Sequence, residues 1–148
     1  MDWKIIEITK SYEMEAKALI LDGFLERFGF IDHHLNPDLN HIYEHYCIDG
    51  SVFLIGLLHN ELVCTGALTK EAEGTGRIQR MSVIRTLRGK GLAKRMLKAL
   101  EQKAVDLQYS KLVLETNRNW ESAVKLYTSN GYSLEEEESQ FVHLYKML

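Results

Sequence analysis

The stretch Arg88-Gly89-Lys90-Gly91-Leu92-Ala93 carries the residue types that hold a phosphate. It lies between a segment of strand-like alternation ending near Val83 and a long amphipathic stretch, so its last residues open a helix. The first turn of a helix leaves its N–H groups without partners, and the aligned peptide dipoles put partial positive charge there. Glycines at 89 and 91 permit dihedrals closed to other residues and let a ligand approach the main chain. Arg88 and Lys90 add charge, the arginine with a planar fork suited to phosphate oxygens. Together these features describe a pyrophosphate cradle. The same residues also suit a tight strand-to-helix turn with a solvated basic face.

Charge along the chain points the same way. The formal charge is 18 − 21 = −3, so the whole molecule does not attract nucleic acid. Yet between Arg85 and Lys103 seven basic residues (Arg85, Arg88, Lys90, Lys94, Arg95, Lys98, Lys103) face one acid, Glu101. A positive segment in an acidic chain implies an anionic ligand of limited size. It is not the Walker loop, because the Gly-x-x-x-x-Gly-Lys-Ser/Thr spacing and the magnesium-binding hydroxyl are absent. Nor is it the dinucleotide fingerprint, since Gly89-Lys90-Gly91 is followed by Leu92, Ala93 and Lys94.

Other chemistry-bearing groups have plainer explanations. His41-Ile42-Tyr43-Glu44-His45 fits His-x-x-Glu-His, but a zinc protease needs a third ligand and a larger body, so no metal is expected. His33-His34 falls in a loop and is a candidate for substrate contact. Cys64 has no basic neighbour and is expected to be a buried, inert thiol. Residues 135–138 are four glutamates in a closing turn, a charged hairpin tip that could also attract a cationic substrate.

These groups must be positioned by one domain, residues 1–148, with 45% hydrophobic and 26% charged residues. Pro37 is the only proline, and no linker or repeat is visible. Strands are expected over residues 3–8, 51–58, 62–70, 77–83, 111–116, 132–137 and 141–147. In the strand at 77–83, Ile78, Arg80 and Ser82 alternate with Gln79, Met81 and Val83. Helices are expected over 13–28, with Ser11 as a cap and Met14, Ala18, Leu21 and Leu25 as the apolar stripe, and over 37–45. A third runs from Gly91, with Leu92, Met96, Leu97, Leu100, Ala104 and Leu107 on one face, and a fourth covers 120–128. The order β-α-α-β-β-β-α-β-α-β-β predicts an α/β fold. Its mixed sheet contains one parallel βαβ unit with helices on the faces. Two cysteines, no signal-like N-terminus and no membrane-length apolar run predict a cytoplasmic protein with no membrane partner.

Arg88-x-x-Gly91-x-Ala93, preceded by Ile78-Gln79-Arg80-Met81-Ser82-Val83, resembles the signature of the GNAT superfamily of N-acetyltransferases. A second block resembles that family too: Leu112-Val113-Leu114-Glu115-Thr116, then Asn119, Ala123, Leu126-Tyr127 and Asn130-Gly131-Tyr132. The resemblance spans residues 77–132 and implies the family's acyl-CoA N-acyltransferase fold. It also implies acetyl-CoA as cosubstrate, with its pyrophosphate on Arg88, Gly89, Lys90, Gly91, Leu92 and Ala93. The pantetheine arm would pair with the backbone of Met81, Ser82 and Val83. Tyr127 matches the tyrosine that protonates the leaving thiolate, where the residue alone would suggest aromatic packing. Asn119 is implied as a pantetheine contact, a helix N-cap, or both.

The amine that attacks must first lose a proton, which is demanding when its ordinary pKa is about 10.4. Many family members carry a glutamate for this where the present chain has Arg77. Glu115 is the better carboxylate, twelve residues before Tyr127, a spacing that occurs in members with a catalytic acid on this strand; an ordered water is the alternative. The expected function is therefore direct acetyl transfer to an amine of a small molecule or peptide, in a protein that is a possible homodimer like many of the family. Arg77 keeps open a second expectation, a coenzyme-A-binding sensor without catalysis. A phosphate-binding module for another nucleotide is a third.

Overall fold

The structure, a computed structural model, describes residues 2–29 and 36–148. Seven strands form: β1 (Trp3–Glu7), β2 (Val52–Leu58), β3 (Glu61–Ala72), β4 (Thr75–Val83), β5 (Lys111–Asn117), β6 (Ser133–Glu137) and β7 (Phe141–Met147). Four helices accompany them: α1 (Glu13–Phe28), α2 (Ile42–Tyr46), α3 (Leu92–Asp106) and α4 (Glu121–Ser129). The expected order of elements is observed. His33 and His34 lie outside the described residues.

The strands make one sheet in the order β1-β2-β3-β4-β5-β7-β6. Short turns join β2, β3 and β4 as antiparallel neighbours, and α3 carries the chain across to β5, which pairs parallel with β4. The last strand, β7, then inserts between β5 and β6, antiparallel to both.

Each face of the sheet has its own core. On one face α3 and α4 bury Met96, Leu97, Leu100, Leu112, Leu114 and Tyr127. Burial at 92, 96, 97, 100 and 104 follows the helical period expected for α3, whereas Leu107 lies past its end and is 40% exposed. On the other face α1 and α2 bury Ile20, Ile42, Tyr46, Phe53 and Ile55. Strands β2 and β3 therefore meet apolar contacts on both sides, which explains their nearly unbroken hydrophobic runs.

Three expectations need correction. Helix α1 docks through Ala16 and Ile20, so its buried stripe is rotated from the expected one and Met14 is 83% exposed. Ser11 does not cap it, because a 3₁₀ turn at Lys10–Tyr12 intervenes and the Ser11 hydroxyl pairs with that of Thr9. The alternation in β4 fails at Arg80. There the register against β3 slips, two residues oppose one, and Arg80 takes φ +59°. This β-bulge leaves Ile78 and Met81 packing toward the α3 core, while the Arg80 guanidinium reaches Asp38 near α2.

Candidate functional site

Parallel strands that splay expose main-chain groups on their facing edges. Strands β4 and β5 pair only from Thr75–Arg77 to Lys111–Val113, leaving residues 78–83 of β4 without a partner on that side. The gap opens into a cleft of about 510 Å³ lined by both strands, α1, the turn after β4 and α4. Met81, Ser82, Val83, Arg88, Gly89, Gly91, Leu92, Ala93, Glu115 and Tyr127 all line it. Lys90 and Asn119 are exposed and lie outside that lining.

The turn is built as its composition demands. Gly89 and Gly91 have φ of +77° and +84°, left-handed values that a side chain disfavours. The first intrahelical bond of α3 runs from the Arg95 N–H to the Gly91 carbonyl, and no side chain caps the helix. The amides of Leu92, Ala93 and Lys94 therefore have no acceptor within the helix. These amides at the mouth of the cleft fit a diphosphate.

The basic segment is less free than its sequence implies. Arg88 donates to Glu26 of α1 at 2.6 Å, and Arg85 reaches Glu26 at 2.9 Å and Asp22 at 3.2 Å. The hydrogen bond from Arg88, helped by the charges of Arg88 and Arg85, holds the Glu26 carboxyl below the usual range. Lys98 pairs with Glu101 and Lys103 with Glu7. Four of the seven cations thus have acidic partners, three of them from elsewhere in the chain, leaving Lys90, Lys94 and Arg95 unpaired among the described residues.

The bulge in β4 is held from three directions. Thr65, fully buried, donates to the Arg80 carbonyl at 2.7 Å. The Arg80 guanidinium grips both Asp38 carboxylate oxygens at 2.8 and 2.9 Å, and Tyr46 donates its hydroxyl to the same carboxylate. Burial, reinforced by the bond to Asp38, pushes the Tyr46 phenol up to about 12. These contacts offset the cost of left-handed backbone at a non-glycine residue, roughly 1–2 kcal/mol. Arg80 also borders a second, more open hollow with Asp38, His41, His45 and Tyr46. The two histidines of the His-x-x-Glu-His pattern therefore face a hollow beside the cleft.

Tyr127 approaches the gap from the α4 side. It is 7% exposed, stacks edge-on against Tyr132 at 5.7 Å, and its hydroxyl bonds to no described residue. Burial pushes its phenol up to about 12, so it carries its proton at neutral pH. Above it Arg27 of α1 lies 4.2 Å over the Trp120 ring. Trp120 is the residue that opens α4, and Asn119 does not cap that helix. Its own N–H is instead taken by the Asn117 side chain at 2.9 Å.

Glu115 comes from the opposite face of β5. Leu112, Leu114 and Thr116 point into the α3 and α4 core, so Glu115 points away from it. Register places it beside His143 of β7, whose Nδ1 is 3.6 Å from Glu115 Oε2. His143 Nε2 lies 2.9 Å from Glu138 Oε2. Glu138 first, then Glu115 and Glu136, raise the His143 pKa above its ordinary value. Among the described residues Glu115, Glu138 and His143 are the one group of three whose ligand-type atoms all lie within 4.8 Å of one another. Arg77, at the position where a family base is expected, is tied to Glu71 at 2.8 Å.

Sequence reasoning missed Glu26, Arg27, Trp120 and His143. Glu26 meets Arg88, Arg27 meets Trp120 and His143 meets Glu115 across long chain separations, and no local pattern marks those meetings. Cys64 is fully buried and its thiol is pushed up to about 12 by burial, as expected of an inert side chain. No helix among the described residues is long and apolar enough to cross a membrane.

Comparison with known proteins agrees with this geometry. Residues 18–132 match the acetyltransferase (GNAT) family. Over 106 residues, 70% of this chain and 38% of the relative, the sequence is 33% identical to N-acetylaspartate synthetase of Danio rerio. The chain thus spans well under half the length of that relative. A GNAT-family acetyltransferase structure from Staphylococcus aureus superposes with a TM-score of 0.87 over 99% of both chains, at 23% identity. The PaiA N-acetyltransferase of Thermoplasma acidophilum, solved in complex with coenzyme A, gives 0.84 over 100% of both chains at 12% identity.

Proposed function

The chain belongs to the GNAT family of acetyltransferases, and on that premise we propose that it transfers an acetyl group directly from acetyl-coenzyme A to an amine. The observation that carries this reading is the gap between β4 and β5, flanked by uncapped helix amides at one end and holding the buried Tyr127 phenol within.

The amides opening α3, with Arg88, receive the diphosphate, and Arg88 exchanges Glu26 for a phosphate oxygen as they do so. Lys90, exposed beside the turn, adds charge at the rim. The free edge of β4 at Met81–Val83 pairs with the amide groups of the pantetheine arm, as an added strand would. That pairing brings the thioester carbonyl to the bulge, where a main-chain N–H polarises it.

Glu115 takes the proton of the incoming amine from the α1 side. The nitrogen then forms its bond to the carbonyl carbon, the C–S bond breaks, and the electron pair leaves on sulfur. Tyr127 meets that sulfur from the α4 side. Because its pKa is about 12 and an ordinary thiol's is about 8.5, full proton transfer runs uphill. Its main contribution is a hydrogen bond to sulfur as charge develops. The acceptor is a small-molecule or peptide amine.

Two measurements test the proposal. Calorimetry is expected to show coenzyme A binding that Arg88→Ala weakens. Thiol release from acetyl-CoA is expected with at least one amine of a panel containing tyramine, spermidine, benzylamine and lysine peptides. Coenzyme binding without thiol release for any of them would make the protein a sensor, and no binding at millimolar coenzyme would end the assignment.

A further inference from the structure

We propose that His143 is a positioning residue for the acetyl transfer, relaying the acceptor's proton from Glu115 to Glu138 and solvent. The inference rests on the acetyltransferase reading above and deepens it at the acceptor side.

Glu115 alone is a poor place for that proton to end. An amine gives its proton only reluctantly to a carboxylate, whereas an imidazole, the side chain suited to proton transfer near neutral pH, serves better. His143 sits next to Glu115 in register, on the same face of the sheet. Its orientation suits a relay. An ionised Glu138 can only accept, so the 2.9 Å contact puts the imidazole proton on Nε2. The Nδ1 lone pair is then left facing Glu115 Oε2 at 3.6 Å, a separation closed by a small side-chain rotation or a bridging water. A carboxylate that fixes the tautomer of a histidine, which in turn serves a second group, is an arrangement proven in hydrolases.

The path ends at its most exposed member. His143 and Glu115 are 25% and 35% exposed at the side chain, and Glu138 is 55% exposed. The proton leaves the amine for a Glu115 oxygen, passes from the other oxygen to Nδ1, and departs from Nε2 through Glu138. No oxidant or further reactant is needed. The charged groups facing His143 are Glu115 on β5, Glu136 on β6 and Glu138 at the turn. Arg77 feels the Glu115 charge but is tied to Glu71 at 2.8 Å, and Arg118 is engaged by Glu137 at 3.4 Å. The acids outnumber the cations and raise the imidazole's affinity for a proton.

The test compares wild type with His143→Gln and Glu138→Gln, using the most reactive amine of the panel above. Thiol release is followed against pH, and the imidazole titration of His143 is followed by NMR. In the wild type, kcat/KM is expected to rise with pH along a limb that coincides with the His143 titration. Glu138→Gln removes the largest cause of the raised pKa, so both limb and titration move to lower pH. His143→Gln abolishes that limb and lowers kcat/KM about 10²-fold, with coenzyme A affinity unchanged and partial rescue by added imidazole. A limb that stays in place in both variants overturns the proposal, as does loss of wild-type activity on adding EDTA, which would make the trio a metal site. If His143→Gln does not fold, the Glu138→Gln shift decides alone. Absence of thiol release from wild type with every amine would instead strike the acetyltransferase reading, and the relay would fall with it.

Discussion

The two walls of the cleft are built on different principles. The coenzyme wall, from β4 through α3, is made largely of main chain: an unpaired strand edge, two left-handed glycines and the uncapped amides of one helix. The opposite wall is made of side chains from α1, β5 and α4, such as Arg27, Glu115 and Tyr127, with the Arg80–Asp38 and His143–Glu138 ion pairs beside it. Main-chain sites tolerate side-chain change and depend on dihedrals. Side-chain sites depend on partners brought together by the sheet. On the proposed function, the cosubstrate meets backbone and the acceptor meets side chains.

Substitutions can break that contrast, beginning with the largest expected effect. Arg80→Ala leaves the Asp38 carboxylate nearly buried and unpaired, and denaturant unfolding should show a loss of about 3 kcal/mol. Arg80→Gly should lose about 1 kcal/mol less, because glycine carries no penalty at φ +59°. Equal losses would mean that the bulge stores no backbone strain.

Tyr127→Phe removes only a hydroxyl that bonds to no described residue. The expected outcome is a fall in kcat of about 10²-fold with coenzyme affinity and stability little changed. Parallel losses in rate and affinity would return Tyr127 to a packing role. On the coenzyme wall, Gly91→Ala should cost about 1 kcal/mol of stability from its positive φ. Coenzyme binding should weaken with it, because the added Cβ meets open space and only the dihedral resists.

The smallest effect is the most specific. Glu26→Gln frees Arg88 while Arg85 keeps Asp22, and calorimetry should show coenzyme A binding tightened by no more than about fivefold. Raising the salt concentration should erase that difference, since both partners are partly exposed. A variant that binds more weakly would show that Glu26 orients Arg88 for the phosphate and does not compete with it.

The contrast between the walls also explains what could be read before the structure. The turn from Arg88 to Ala93 was legible because its six residues are contiguous and its left-handed glycines follow from local backbone geometry. The buried face of α3 was legible from its period. The alternation in β4 misled at Arg80, because a bulge is decided by the partner strand and by Thr65, which lies fifteen residues away. The stripe on α1 misled because its apolar residues surround more of the helix than one sheet face can cover.

The sequence by itself determined the order of elements, the parallel crossover through α3, and the glycine turn with Tyr127 downstream. These are short-range facts, governed by helical and strand periods and by the dihedrals that glycine alone takes easily. Only the tertiary structure decided that β7 would slip between β5 and β6, that Glu26 would occupy Arg88, and that His143 would stand beside Glu115. Those depend on strand register and helix docking, which bring together side chains 62 residues apart at Arg88 and Glu26 and leave no trace in local composition.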